Sequence, residues 1–132
     1  MKHYRLSEMP YLTVGDPGEQ RFAQPLVAPE LGNHDTLSID VVNVTASSHT
    51  GSHKHVDRSE MIFFLNDGAM IIDNKRYEIE ANSLIIVEAG ETHTVINDSD
   101  GLLRILCIFA PALPKSEEAM EFIKQHSLVE SS

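Results

Sequence analysis

From Asp35 to Ala110 the chain is a succession of short apolar runs, rich in Val, Ile, Leu and Phe, interrupted every few residues by clusters that favour tight turns. Runs of this length without a helical pattern between them read as strands. The strands predicted are Leu37 to Val44, Met61 to Leu65, Ala69 to Asp73, Arg76 to Ile79, Leu84 to Val87, Thr92 to Ile96 and Leu102 to Ala110. Between them stand Asn66-Asp67-Gly68, Asp73-Asn74-Lys75, Ala89-Gly90-Glu91 and Asn97-Asp98-Ser99-Asp100-Gly101, all residues that tolerate tight turns or positive φ. Hairpin-length links of this kind argue for an all-β sandwich or closed barrel over an α/β fold.

The flanks read differently. Residues 1–34 carry Pro10, Pro17, Pro25 and Pro29, which break helices and confine strands to short pieces. An irregular N-terminal arm is expected there, lying across a sheet edge or a partner subunit, or forming a loosely packed lead-in. After Pro111 and Pro114, the segment SEEAMEFIKQHSL predicts one C-terminal helix within 115–128, with Ser116 as its N-cap and Met120, Ile123 and Leu128 facing inward. With 132 residues, 42% of them hydrophobic, a single domain is expected: arm 1–34, barrel core 35–111, helix 115–128.

Charge and composition exclude several function classes. Twenty acidic residues stand against ten basic ones, a net charge of −10, and no Lys/Arg cluster interrupts the acidity, so a nucleic-acid partner is not expected. No stretch approaches the roughly 18 apolar residues of a membrane span, and the N-terminus has no apolar run behind its basic residues. A soluble, cytoplasmic protein is the expectation. Cys107 is the one cysteine, which rules out an internal disulfide, and its setting in LLRILCIFA is that of a small buried hydrophobe.

Chemistry concentrates in two stretches. In Gly51-Ser-His53-Lys-His55-Val-Asp-Arg-Ser-Glu60, an extended backbone turns His53 and His55 to the same side. Glu60 lies an odd number of residues further on, so a bend near Asp57-Arg58-Ser59 is required to bring it to the same point. In the second stretch, Asn82 to Asn97, a buried strand reaches the glycine turn at Gly90 and His93 follows at the start of the next strand. Three imidazoles and one carboxylate make a mixed nitrogen and oxygen donor set. Such a set suits one divalent transition metal ion, Fe, Mn, Ni, Co or Zn, better than calcium or magnesium. Seven histidines make a lone His-x-His pair unremarkable; the order and spacing of all the parts carry the reading.

Taken together, the two stretches resemble the paired motifs of the cupin superfamily. His53, His55, Glu60 and Gly68 correspond to the first motif, and Gly90, His93 and Asn97 to the second. The resemblance spans roughly Leu37 to Pro111 and implies a double-stranded β-helix, a jelly-roll-like conical barrel with the metal inside its wider end. Two positions depart from the pattern: Asn82 stands where a glycine is common and Glu88 where a proline is common. Both concern turns, and Asn adopts left-handed geometry with less strain than most residues.

Other residues receive plainer readings. His3, His34 and His126 are expected to be surface or satisfied groups. His49 could share the face of His53, although Gly51 interrupts the strand between them; Asn97 is expected to shape the turn NDSDG. Phe63, Phe64 and Tyr77 are expected to pack in the core or a subunit contact rather than against substrate.

The resemblance implies a metal-dependent enzyme acting on a small polar organic substrate, of the dioxygenase or the isomerase/lyase kind. The alternative is a non-catalytic cupin that binds a sugar or organic acid, and a third reading gives the metal a structural role. A homodimer, formed through sheet faces or exchanged N-terminal strands, is also expected from the resemblance.

Overall fold

A computed structural model describes residues 1–126. The N-terminal segment forms two strands, β1 (Leu12–Val14) and β2 (Arg21–Val27). The core adds β3 (Ser38–Val44), β4 (Ser48–His49), β5 (Ser59–Phe64), β6 (Gly68–Ile72), β7 (Lys75–Ile79), β8 (Ser83–Val87), β9 (His93–Asn97) and β10 (Leu103–Ala110), followed by the helix α1 (Glu117–Gln125). All pairings are antiparallel. One sheet has six strands in the order β1-β2-β3-β10-β5-β8 and the other four in the order β4-β9-β6-β7. This is the all-β, jelly-roll arrangement expected from the sequence.

Alternation explains how the sheets close on one core. Along β5, Glu60, Ile62 and Phe64 are buried while Ser59, Met61 and Phe63 are half-buried; along β10, Leu103, Ile105, Cys107 and Phe109 are buried. Val42 and Val44 from β3 and Met70, Ile79, Val87 and Val95 from the neighbouring strands complete this core. Chain reversals use the residues that permit them. Asp73 (φ 47°) and Asn74 (φ 70°) form the two-residue link from β6 to β7, both in the left-handed geometry that matches strand twist. Asn82 is also left-handed, at φ 65°, so it does here what a glycine would do.

The arm is a correction. Residues 1–34 lie along a sheet edge, one of the expected placements, but not as the irregular segment expected: β2 runs alongside β3 from Arg21↔Val44 to Val27↔Ile39 and extends the six-stranded sheet within the same chain. Pro25 is accommodated because it lies beyond Ala23, the last β2 residue paired to β1, and at a register shift between Pro25 and Val27. Gln24 donates its side-chain amide to the carbonyls of Leu6 and Met9, tying the first residues over the outer face of this sheet.

The helix begins as expected: the Ala119 amide donates to Ser116 Oγ at 3.1 Å, and Glu117 and Glu118 occupy the first turn. Met120 and Ile123 are only half-buried, as is Phe122; Leu128 and the end of the predicted 115–128 span lie outside the described residues. Among the described residues no helix is long and apolar enough to cross a membrane.

Candidate metal centre

Two backbone clasps bring the distant stretches together. His53 and His93 exchange both amide-to-carbonyl hydrogen bonds, at 3.1 and 2.8 Å, as an isolated antiparallel pair. Two residues further along, the Gly90 amide donates to the His55 carbonyl at 2.8 Å, so the turn before β9 is fastened to the first stretch. Gly51 (φ 77°) breaks the chain direction just before His53. After His55 the chain bends at Val56 and Asp57 and enters β5 at Ser59, which puts Glu60 on the inward face. The bend required by the odd spacing is therefore present.

One donor atom from each of His53, His55, Glu60 and His93 lies within 4.8 Å of all the others. Two donors each about 2.1 Å from a shared ion stand at most about 4.2 Å apart, so the group needs to close by less than about 1 Å. His93 and Glu60 are buried, and the other two are half-buried. The rings of His53 and His93 are 4.2 Å apart between centroids, and Phe109 packs edge-on against His55 at 5.1 Å.

The hydrogen bonds around these rings argue for a cation. His93 Nδ1 donates to the Glu91 carbonyl at 3.1 Å, and His53 Nδ1 donates to the Gly51 carbonyl at 2.9 Å. A carbonyl can only accept, so in the neutral ring each Nε2 carries its lone pair into the site. His93 Nε2 then faces Glu60 Oε1 at 2.9 Å, one acceptor against another, unless a proton or a metal ion lies between them. In the metal-free protein a proton is favoured there: burial is the largest single influence and lowers the His93 pKa, but the hydrogen bonds to Glu60 and to the Glu91 carbonyl, together with the charges of the two acids, outweigh it and the pKa is raised. His53 has no such acid against it, and burial lowers its pKa toward the neutral, ligating form. His55 Nε2 is buried without any hydrogen-bond partner, 3.6 Å from Glu60 Oε1. An orphaned imidazole nitrogen aimed at a carboxylate and two further imidazoles fits a metal site well.

The four donors sit in the wall of a cavity of about 370 Å³. Val42, Ile62, Val95, Ile105, Phe109 and Leu113 supply its apolar lining. Four polar residues that the sequence reading did not single out also line it: Arg21, Asp40, Thr50 and Ser52. Asp40 accepts from Lys115 Nζ at 3.2 Å, and burial raises its pKa against the opposing pull of that lysine. Alternation along Leu37 to Val44 could have suggested that Asp40 faces inward, whereas Arg21 lay in a stretch with no strand signal.

The remaining residues behave more simply. His49 Nδ1 accepts from the Gly51 amide at 3.0 Å and its ring lies outside the four-donor group. Asn97 is structural: its amide donates to the carbonyls of Val44, Thr45 and Gly101, while its oxygen accepts from Ser99. His34 Nδ1 accepts from the amides of Thr36 and Leu37, His126 packs against Phe122, and His3 is exposed. Cys107 is buried in the core, and burial raises its thiol pKa well above the ordinary value, so the thiolate is suppressed. Phe64 is fully buried at 0% exposure, Phe63 is half-buried on the other face, and Tyr77 is 41% exposed.

A family model described as a cupin domain matches residues 41–109, more than half of the chain. An uncharacterized protein of Methanocaldococcus jannaschii is 27% identical over 116 residues, covering 87% of this chain and 88% of its own. Among solved structures, a predicted oxalate decarboxylase from Thermotoga maritima superposes with a TM-score of 0.73 at 20% identity, covering 82% of this chain and 97% of the other. The polyketide cyclase RemF from Streptomyces resistomycificus gives 0.72 at 18% identity, covering 94% and 93%. At these identities the structural likeness establishes the fold.

Proposed function

The chain belongs to the cupin family, and from that premise we propose that it is a metal-dependent enzyme acting on a small polar organic molecule, of the oxygenase or the isomerase/lyase kind. The observation that carries this reading is the buried His55 Nε2, without a hydrogen-bond partner and 3.6 Å from Glu60 Oε1 among two further imidazoles, on the wall of a cavity of small-molecule size. His53, His55, Glu60 and His93 would hold the ion. A divalent metal there supplies Lewis acidity to a carbonyl or hydroxyl oxygen and, as iron, redox chemistry as well.

The chain's own residues supply the rest. The carbonyls of Gly51 and Glu91 orient two of the imidazoles, so those rings present Nε2 and do not need to be held by substrate. The apolar part of the lining lowers the local polarity and so strengthens the electrostatic contacts inside. Asp40 is the wall carboxylate not committed to the donor group; it rests as the ion-pair partner of Lys115, and because burial raises its pKa against that lysine it is the group we assign to accepting and returning a proton at its carboxylate oxygens.

Stripping the purified protein with a chelator and titrating it with Mn(II), Fe(II), Ni(II), Co(II) or Zn(II) tests the reading. One equivalent per chain should bind. At a hundredfold excess over Kd the ion should stabilise the fold by about 2.7 kcal/mol, a rise in Tm on the order of 10 °C for a domain of this size. A protein that takes up none of these ions after reloading would end the proposal.

We also propose that two copies pair through the outer face of the six-stranded sheet. Cross-strand register aligns Leu84, Phe63 and Leu106 in one outward row and Ile86, Met61 and Ile108 in the next, and Leu84 and Ile86 are each 52% exposed on β8. The N-terminal strands are paired within their own chain, which favours the face over strand exchange. Sedimentation equilibrium should give twice the chain mass, reverting to the monomer when Leu84→Asp and Ile86→Asp are combined; a wild-type monomer at micromolar concentration would contradict this.

A further inference from the structure

Arg21 is the charged group that the four-donor chemistry leaves unused. It opens β2 opposite Val44, so its side chain shares the inward face of the sheet with Val44 and Leu103, both at 0% exposure. There it joins the wall of the cavity that contains the four donors. The chain's other arginines are engaged: Arg5 with Glu8, Arg58 with Asp57, Arg76 with Glu78 and Asp98, and Arg104 with Asn43. Among the described residues Arg21 is the one arginine whose side chain has no hydrogen bond or ion pair. The acids of the wall do not serve it, because Asp40 is taken by Lys115 and Glu60 faces the imidazoles.

Arg21 is half-buried, so its guanidinium loses part of its hydration without a protein partner in return, in a chain whose twenty acids against ten bases offer partners to spare. The charge balance of the cavity points the same way. Asp40 and Lys115 cancel, and a divalent ion held by neutral imidazoles and Glu60 retains a surplus positive charge, to which Arg21 adds another. The cavity of an acidic protein is thus left electropositive, at a size suited to a small ligand.

We propose that Arg21 is a substrate-binding residue and that the molecule taken into the cavity carries a carboxylate, held by the guanidinium fork. The planar fork matches two carboxylate oxygens, whereas phosphate sites often add a helix N-terminus, and no residue of α1 lines this wall. The inference rests on the metal-dependent reading above and names its substrate class.

Isothermal titration of the Mn(II)-loaded and the metal-free protein with acetate, malonate, succinate, malonamide and inorganic phosphate decides it. At least one carboxylate should bind the wild type and malonamide should not. Arg21→Gln should weaken that binding by about 10- to 100-fold with Mn(II) affinity and Tm retained, and Arg21→Lys, which keeps the charge and loses the fork, should fall between. Should Arg21→Gln fail to fold, the loss in Arg21→Lys carries the test. Equal carboxylate affinity in wild type and variant, malonamide binding as tight as malonate, a preference for phosphate, or no carboxylate bound at all would overturn the assignment. A wild type that takes up no Mn(II) would end the metal-dependent reading instead, and the titrations of metal-free samples would still decide Arg21.

Discussion

His55→Ala abolishes divalent-metal uptake while leaving the metal-free protein about as stable as before, whereas His93→Ala loses both. His55 Nε2 is buried and unpartnered in the metal-free protein, so truncation removes an unsatisfied polar atom and offsets the packing lost against Phe109. A net change within about 1 kcal/mol is expected. His93 is 1% exposed and hydrogen-bonded to Glu60, itself 4% exposed. Removing that ring takes the 2.9 Å hydrogen-bond partner from a buried carboxylate and leaves it the longer His55 Nε2 contact at 3.6 Å, at a cost of about 3 kcal/mol. Metal affinity should fall in both variants by more than about 100-fold, since even the loss of a group that only orients a ligand commonly costs 10- to 100-fold. Calorimetric titration and urea denaturation read the two quantities separately. Wild-type metal uptake by His55→Ala would sink the four-donor assignment.

The opposite pattern is expected at Asn97. Its side chain, 1% exposed, closes the link between β9 and β10 by donating to three carbonyls at 2.8 to 3.0 Å and accepting from Ser99 at 2.7 and 3.0 Å. Asn97→Ala removes all three of these hydrogen bonds, leaving the Gly101 carbonyl only its longer contact with Ser99 Oγ, and a buried carbonyl that loses its partner costs about 1–3 kcal/mol. A loss of about 3 kcal/mol in unfolding free energy follows, or a Tm lower by on the order of 10 °C. Because Asn97 lies at the far end of β9 from His93, metal stoichiometry should be kept. An alanine variant that unfolds like the wild type, or one that keeps its stability and loses the metal, would contradict the structural role.

The core strands were legible to within a residue or two because alternation is a local property. Met61 to Leu65 was expected and Ser59–Phe64 is found; Leu102 to Ala110 was expected and Leu103–Ala110 is found. Strands β1, β2 and β4 were missed for two reasons. β1 and β4 are only three and two residues long, and β2 contains Pro25, which normally counts against a strand. What admits Pro25 is the short reach of β1 beside it, a fact about a neighbour and not about the segment itself. The helix shows the converse: Ser116, Glu117 and Glu118 mark its start within a few residues of chain, and its start was read correctly.

The site divides along the same line. Which residues could ligate was readable from residue types and spacing, since His53 and His55 need only an extended backbone to face one way, and Glu60 only a bend. The cavity around them was decided by register between strands far apart in the chain: Arg21 reaches it because β2 pairs with β3, and Asp40 because β3 pairs with β10. The orientation of His53 and His93 was likewise decided in three dimensions, by the carbonyls of Gly51 and Glu91. Every residue carries a carbonyl, so no letter of the sequence marks the one that will hold an imidazole; only the folded backbone path selects it.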